Sequence, residues 1–101
     1  IGFHFPDTDD EFKDIDSKIL LKKCIELMNN KGYKVVNIDS TLCLQLPKIK
    51  PYVSKMQEVI ASISGIGISD ISIKATTTET LGFIGREEGL KAYATVLLCK
   101  K

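Results

Sequence analysis

Residues 36–46 alternate between apolar and polar with a period of two. Val36, Ile38, Leu42, Leu44 and Leu46 fall on one side of an extended chain, with Ser40 among them. Asn37, Asp39, Thr41, Cys43 and Gln45 fall on the other. Successive side chains of a strand point to opposite faces, so the pattern requires a strand with one buried and one wet face. Pro47 has no N–H to donate to a ladder and ends it.

A half-buried strand needs a cover, and the chain supplies helical patterns on either side. Leu20, Cys24, Leu27 and Met28 recur at helical spacing, while Lys18, Lys22, Glu26 and Asn29 lie mostly away from them. Asp16 or Ser17 caps this helix, and Gly32 suits the left-handed position after its last turn. Pro51 fits the first turn of a second helix, whose buried stripe is Val53, Met56, Val59, Ile60 and Ile63. Gly65 and Gly67 end it. Ile71 and Ile73 alternate with Ser72 and Lys74 in a second strand. A last strand, Leu90 to Cys99, is apolar on both sides except for Lys91 and Thr95, which predicts cover on both faces. The order is loop, helix, strand, helix, strand, short turn, strand. It predicts an α/β (α+β) two-layer sandwich, a mixed β-sheet with helices packed on one face. The 101 residues make one small domain. Its core is near the lower limit for standing alone, so assembly would add useful buried area.

Composition removes several function classes. Fourteen basic and thirteen acidic residues leave a net charge of +1, and Arg86 is the single arginine. Such a balance has no long-range field for a polyanion, and the lysines are scattered, so nucleic acid is not expected as a partner. No apolar run reaches the roughly 20 residues that cross a bilayer, and no signal or transit segment is visible. The chain opens at Ile1-Gly2-Phe3 without an initiator Met, which predicts a preceding segment. The three cysteines, Cys24, Cys43 and Cys99, are far apart and form no CxxC pair. Each falls in a predicted helix or strand, where a free thiol is a small hydrophobe, and the compartment is expected to be reducing. His4 is the sole histidine. Alone it builds no tetrahedral metal site and no Ser-His-Asp triad, and it reads as a surface or interface residue.

Three segments remain that can carry chemistry. Lys74-Ala75-Thr76-Thr77-Thr78-Glu79, with Leu81-Gly82-Phe83-Ile84-Gly85-Arg86 after it, takes three hydroxyls and their N–H groups out of a strand into a glycine-containing turn. These groups can converge on phosphate oxygens, Glu79 can hold a divalent cation beside them, and Arg86 can clamp a diphosphate. The same Thr76-x-x-Glu79 spacing is also a capping box, which needs no ligand. Phe5-Pro6-Asp7-Thr8-Asp9 places two carboxylates around a hydroxyl, suited to a polyol or a metal-bound phosphate and equally to a solvated acidic turn. Leu44-Gln45-Leu46-Pro47-Lys48-Ile49 ends a strand in a proline turn with a lysine beyond it. Its backbone can read the edge of a base, or simply connect a strand to a helix.

Taken together, these segments resemble the methylerythritol cyclodiphosphate synthase family. Ile1-Gly2 and Phe5-Pro6-Asp7-Thr8-Asp9 look like its D-I-G-x-x-F-P-D-T-D signature without the first Asp. Gln45-x-Pro47-Lys48 looks like its cytidine-binding turn. Lys74 to Glu79, Leu81-Gly82-Phe83 and Gly85-Arg86-x-Glu88-Gly89 look like its C-terminal signature. The likeness runs through essentially all of the chain, in order.

The resemblance implies a trimeric lyase of non-mevalonate isoprenoid synthesis, in a bacterial cytoplasm or a plastid. Its substrate is 4-diphosphocytidyl-2-C-methyl-D-erythritol 2-phosphate. The 2-phosphate attacks the β-phosphoryl group of the same molecule, CMP leaves, and a cyclic diphosphate remains. Such chemistry needs positioning and charge neutralisation more than a protein nucleophile. By similarity, Gly2 would contact the ribose, and Phe5, Pro6, Asp7, Thr8 and Asp9 would line the methylerythritol phosphate. Leu44, Gln45, Leu46, Pro47, Lys48, Ile49 and Lys50 would hold cytosine and the α-phosphate. Ala75, Thr76, Thr77 and Thr78 would meet the base and phosphates, with Thr77 and Glu79 catalytic. Glu79 would bind Mg²⁺ or Mn²⁺. Phe83 and Arg86 would face a central cavity of the trimer that takes isoprenoid diphosphates. The family's Zn²⁺ ligands, an Asp-x-His pair and a later His, are expected upstream of Ile1. Leu44 and Ile84 stand where the family often carries smaller or more polar residues. A non-enzymatic alternative is a trimeric nucleotide- or isoprenoid-diphosphate-binding domain, like signalling proteins of the nitrogen-regulatory type, whose loop signatures this chain does not match.

Overall fold

In a computed structural model, which describes residues 3–5 and 15–101, three strands form one mixed sheet with two long helices against it. The elements are α1 (Ser17–Asn30), β1 (Tyr33–Cys43), α2 (Val53–Ser64), β2 (Ile71–Thr76), the single turn α3 (Gly82–Gly85) and β3 (Lys91–Lys100). Short 3₁₀ turns, Lys50–Tyr52 and Ile68–Asp70, lead into α2 and β2. The sheet order is β2-β1-β3. β1 runs parallel to β2, with Ile38 beside Ile71 and Cys43 beside Thr76. It runs antiparallel to β3, with Tyr33 opposite Lys100 and Cys43 opposite Lys91.

The local signals explain most boundaries. Asp16 stays extended and its carboxylate accepts from the Lys18 N–H at 2.8 Å, satisfying one of the free donors at the start of α1. Gly32 and Gly65 take φ of 86° and 73° after α1 and α2, a region that side-chain-bearing residues avoid. Pro51 lies in the 3₁₀ turn just before α2, where its missing N–H costs nothing.

The helices touch each other, α1 resting on β1 and α2 on β2, so they cover the same side of the sheet. Val35, Leu44, Ala61, Ile71 and Ile84 are the buried apolar residues among those described. Ile71, 3% exposed, is the deepest of them, and removing such a side chain from water is worth about 1.5–3 kcal/mol. On the helix-free side, the Lys74 ammonium bonds the Asp39 carboxylate at 2.7 Å and holds that carboxyl below its ordinary value of 3.8. Both groups are exposed, so solvent screens the pair.

Five expectations change. The inward residue at the start of β1 is Val35 rather than Val36, which is exposed. The pairing slips between Val35 and Asn37, so Val35 meets Leu98 and Ile38 meets Val96, two positions apart on β3 and therefore on one face. β1 stops at Cys43, before the alternation does, and Leu46 is 58% exposed. Cys24 is exposed, so it does not belong to the inner face of α1. The buried positions of α2 are Ala61 and Ser64, while the larger predicted stripe is only half-buried. Small side chains let the helix approach the sheet, and Gln57 on that same face donates to the Ile71 carbonyl at 2.8 Å. Finally, β3 is an edge strand exposed along nearly its whole length, not one covered on two sides.

Candidate active site

Because β1 and β2 are parallel, their carboxyl ends lie together. Cys43 pairs with Thr76, and the Leu44 N–H donates to the Thr76 carbonyl at 3.0 Å just past the strand end. The chain leaving β1 and the chain leaving β2 must therefore diverge from one point. Ligands of open α/β sheets gather in the crevice beyond such ends.

A cavity of about 200 Å³ opens there, lined by Leu44, Gln45, Pro47, Lys48, Lys50, Ala75, Thr76 and Thr77. The proline–lysine turn and the threonine turn, far apart in the chain, thus supply the two walls of one cavity. Its volume is below the roughly 300–1,000 Å³ of a site for a drug-sized ligand, so it suits one portion of a nucleotide. The Leu46–Pro47 peptide is cis. Leu44 forms a buried part of the wall, and Lys48 and Lys50 add two cations that make no ion pair among the described residues. The Gln45 Oε1 is buried without a hydrogen-bond partner among the described residues, so an N–H or O–H donor of a ligand here would satisfy it.

The threonine turn is not a capping box. No helix begins at Thr77, and the Thr76 hydroxyl donates to the Thr77 carbonyl at 3.2 Å. Instead the Glu79 N–H donates to Thr77 Oγ1 at 3.2 Å, and the Thr78 hydroxyl donates to the Leu81 carbonyl at 2.6 Å. Glu79 and Thr80 take φ of 53° and 67°, two successive side-chain-bearing residues in the left-handed region. Each costs on the order of 1 kcal/mol or more and persists only where its surroundings enforce it. Thr77 links the two parts of the site: it lines the cavity, and its hydroxyl accepts from Glu79. The exposed Glu79 carboxylate has no ion-pair or hydrogen-bond partner among the described residues. An exposed, uncommitted carboxylate is the kind of oxygen ligand that a hard cation such as Mg²⁺ or Mn²⁺ takes. No group of three or more His, Cys, Asp or Glu capable of holding a metal occurs among the described residues, so they offer zinc no donor set.

Other candidates lie apart from the cavity wall. Leu46, Ile49, Thr78, Phe83 and Arg86 do not line it. Arg86 bonds Glu88 at 2.6 Å, so its charge is already countered. Phe83 is partly exposed and lies under the Lys91 ammonium, 5.6 Å from the ring centre, a cation–π contact that ties α3 to β3. Ile84 is buried. Phe5 is half-buried, and His4 stands at the surface, edge-on to Phe3 at 5.0 Å. Gly2, Pro6, Asp7, Thr8 and Asp9 lie outside the described residues. The left-handed conformation of Glu79 and Thr80, and the packing of Gly85 on it, were not read from the sequence. The closely spaced glycines at 82 and 85 were their only trace.

No described helix is long and apolar enough to cross a membrane. A model of the YgbB family matches residues 1–99. The chain is 63% identical over 100 residues to the 2-C-methyl-D-erythritol 2,4-cyclodiphosphate synthase of Bacteroides thetaiotaomicron, covering 99% of this chain and 63% of that protein. The bifunctional IspDF of Campylobacter jejuni superposes with a TM-score of 0.94 at 40% identity, covering 100% of this chain and 27% of that one. IspF of Plasmodium falciparum in complex with CDP superposes with a TM-score of 0.85 at 32% identity, covering 100% and 60%. The chain spans about 60–63% of the length of the curated relatives it matches. A family model over nearly the whole sequence, joined to this site geometry, places the chain in the YgbB family.

Proposed function

We propose that this chain forms the nucleotide-binding part of a 2-C-methyl-D-erythritol 2,4-cyclodiphosphate synthase. The observation that carries the reading is the shared cavity of the 44–50 and 75–77 turns, with Thr77 hydrogen-bonded to Glu79 beside it. The relatives bear this name, and one related structure is a CDP complex.

In this reading the β1 turn holds cytosine and the α-phosphate, Lys48 and Lys50 supplying positive charge. Thr76, Thr77 and Thr78 would orient the diphosphate through their N–H groups and Thr77 also through its hydroxyl, the Thr76 and Thr78 hydroxyls already donating to the Thr77 and Leu81 carbonyls. An oxygen of the substrate's 2-phosphate forms a bond to the β-phosphorus. The bond from that phosphorus to the oxygen bridging to the α-phosphate breaks, and CMP leaves with the bridging oxygen. No protein nucleophile is required, since both reacting groups belong to one molecule and the task is to hold them in line. Glu79 would hold Mg²⁺ or Mn²⁺, which neutralises diphosphate charge when bound. Gly2 and residues 5–9 would reach the methylerythritol end. Three copies would assemble, with Phe83 and Arg86 toward a central cavity that accepts an isoprenoid diphosphate. The curated relative cited, that of Bacteroides thetaiotaomicron, is bacterial, and the bacterial cytoplasm is the proposed setting.

The test is CMP release by the full-length protein with Mg²⁺ present. Glu79→Gln keeps the shape and removes the charge. A fall of at least about a hundredfold in the Mg²⁺-dependent rate, with unchanged thermal stability, is expected from the loss of one preorganised charge-stabilising group. An unchanged rate would remove Glu79 from the metal site. CMP binding by the wild-type protein without turnover would favour the non-enzymatic nucleotide-binding alternative.

A further inference from the structure

We propose that Gly85 is a positioning residue for the Glu79 carboxylate, acting through the backbone of Thr80. The role rests on the metal-binding reading of Glu79 given above. Glu79 and Thr80 carry φ of 53° and 67°, and Gly82 follows with 68°. An L-residue leaves the left-handed region unless something holds it there. Hydrogen bonds pin both flanks of the pair: Glu79 N–H to Thr77 Oγ1 at 3.2 Å before it, and Leu81 N–H to the Thr78 carbonyl at 3.1 Å after it. Within the pair the Thr80 hydroxyl donates to the Glu79 carbonyl at 2.5 Å, and Gly85 packs against the Thr80 peptide.

α3 folds back so that Gly85 lies directly on that peptide. A Cβ at position 85 would fall on the Thr80 carbonyl carbon, 2.5 Å from its oxygen and 2.6 Å from its Cα. These are backbone atoms, which cannot swing aside like the end of a flexible side chain. The Gly85 N–H in turn donates to the Leu81 carbonyl at 3.1 Å, fastening α3 in this position. Gly85 does not occupy the left-handed region. Alanine there fails through contact alone, which makes the substitution a clean probe of the packing. The chain of dependence is short: the missing side chain lets α3 close on Thr80, the closed turn keeps Thr80 and Glu79 left-handed, and that backbone sets where the carboxylate stands relative to Thr77 and the cavity.

The experiment uses full-length protein, with CMP release followed against Mg²⁺ concentration and CMP binding measured separately. Gly85→Ala is expected to raise the half-saturating Mg²⁺ at least about tenfold and to lower kcat, since displacing a catalytic group by about 1 Å can cost a hundredfold. CMP affinity is expected to stay within about twofold, because the cavity is built on the ends of β1 and β2, a split that general unfolding would not produce. Thr80→Gly, which accepts positive φ freely, should leave Mg²⁺ demand unchanged. Thr80→Pro, whose ring fixes φ near −65°, should reproduce the Gly85→Ala defect and decides the matter should Gly85→Ala not fold. Wild-type Mg²⁺ demand in Gly85→Ala, or in Thr80→Pro where the former is unfolded, overturns the proposal. The two readings separate through Glu79→Gln. Lost Mg²⁺ dependence there beside normal Gly85→Ala sinks only the role of Gly85, whereas unaltered dependence in Glu79→Gln sinks the metal assignment and this inference with it.

Discussion

Gln57 is a polar residue on the helix face that meets the sheet, and its neighbours on that face are small. Its amide donates to the Ile71 carbonyl at 2.8 Å, next to the most buried side chain among the described residues. Gln57→Leu keeps much of the volume but leaves that carbonyl without its partner. A buried polar group deprived of its hydrogen bond costs about 1–3 kcal/mol, so the midpoint of urea unfolding should fall accordingly with little change in slope. An unchanged midpoint would mean that water or another donor takes over. A period-3.6 reading of apolar residues passes over such a position, because it looks for hydrophobes and Gln57 contributes a hydrogen bond. The same limit hid the Glu79–Thr80 pair. Residue identity announces a left-handed glycine, as at Gly32 and Gly65, but not a left-handed Glu or Thr imposed by contact from elsewhere.

At the level of elements, helix and strand order was legible because patterning dominates it. The caps at Asp16 and Gly65 were legible because their chemistry is local. What misled was phase and depth. A β-bulge inserts one residue and turns every earlier side chain to the opposite face, so Val35 is buried where alternation pointed to Val36. In α2 the most apolar stripe is not the most buried one: burial is greatest at the small residues Ala61 and Ser64, on the same face as Gln57 and its bond to the Ile71 carbonyl. Ala61→Leu inserts atoms where the helix has no room. The expected cost is about 1–3 kcal/mol of overpacking, read as a lower Tm. The displaced α2 should also loosen β2, seen as faster amide exchange at Ile71 and Ile73 than at β3. Uniform exchange across the three strands would show that the strain spreads through the whole domain instead.

For the whole molecule, the distribution of apolar surface is the telling feature. β3 carries Tyr93 and Leu97 on the helix-free side of the sheet and Val96 and Leu98 on the other, all four exposed, with Tyr93 at 58% and Leu97 at 54%. The sequence showed a strand apolar on both faces but could not say what covers it, since the cover need not come from this domain's own helices. An exposed apolar edge strand is a liability in a lone domain, and contiguous patches of this kind mark interaction surfaces. This favours the proposed assembly of three copies with β3 at the contact. Leu97→Glu tests it. Leu97 makes little of its burial within its own chain, so the substitution should alter the fold of one subunit little. At a subunit contact it would place an unpaired carboxylate in an apolar environment, costing several kcal/mol. Sedimentation of the full-length protein should then give the mass of one subunit where the wild type gives three, with CMP release falling in step as subunits separate. A variant that keeps the wild-type mass would place the contact elsewhere, and β3 would need another cover.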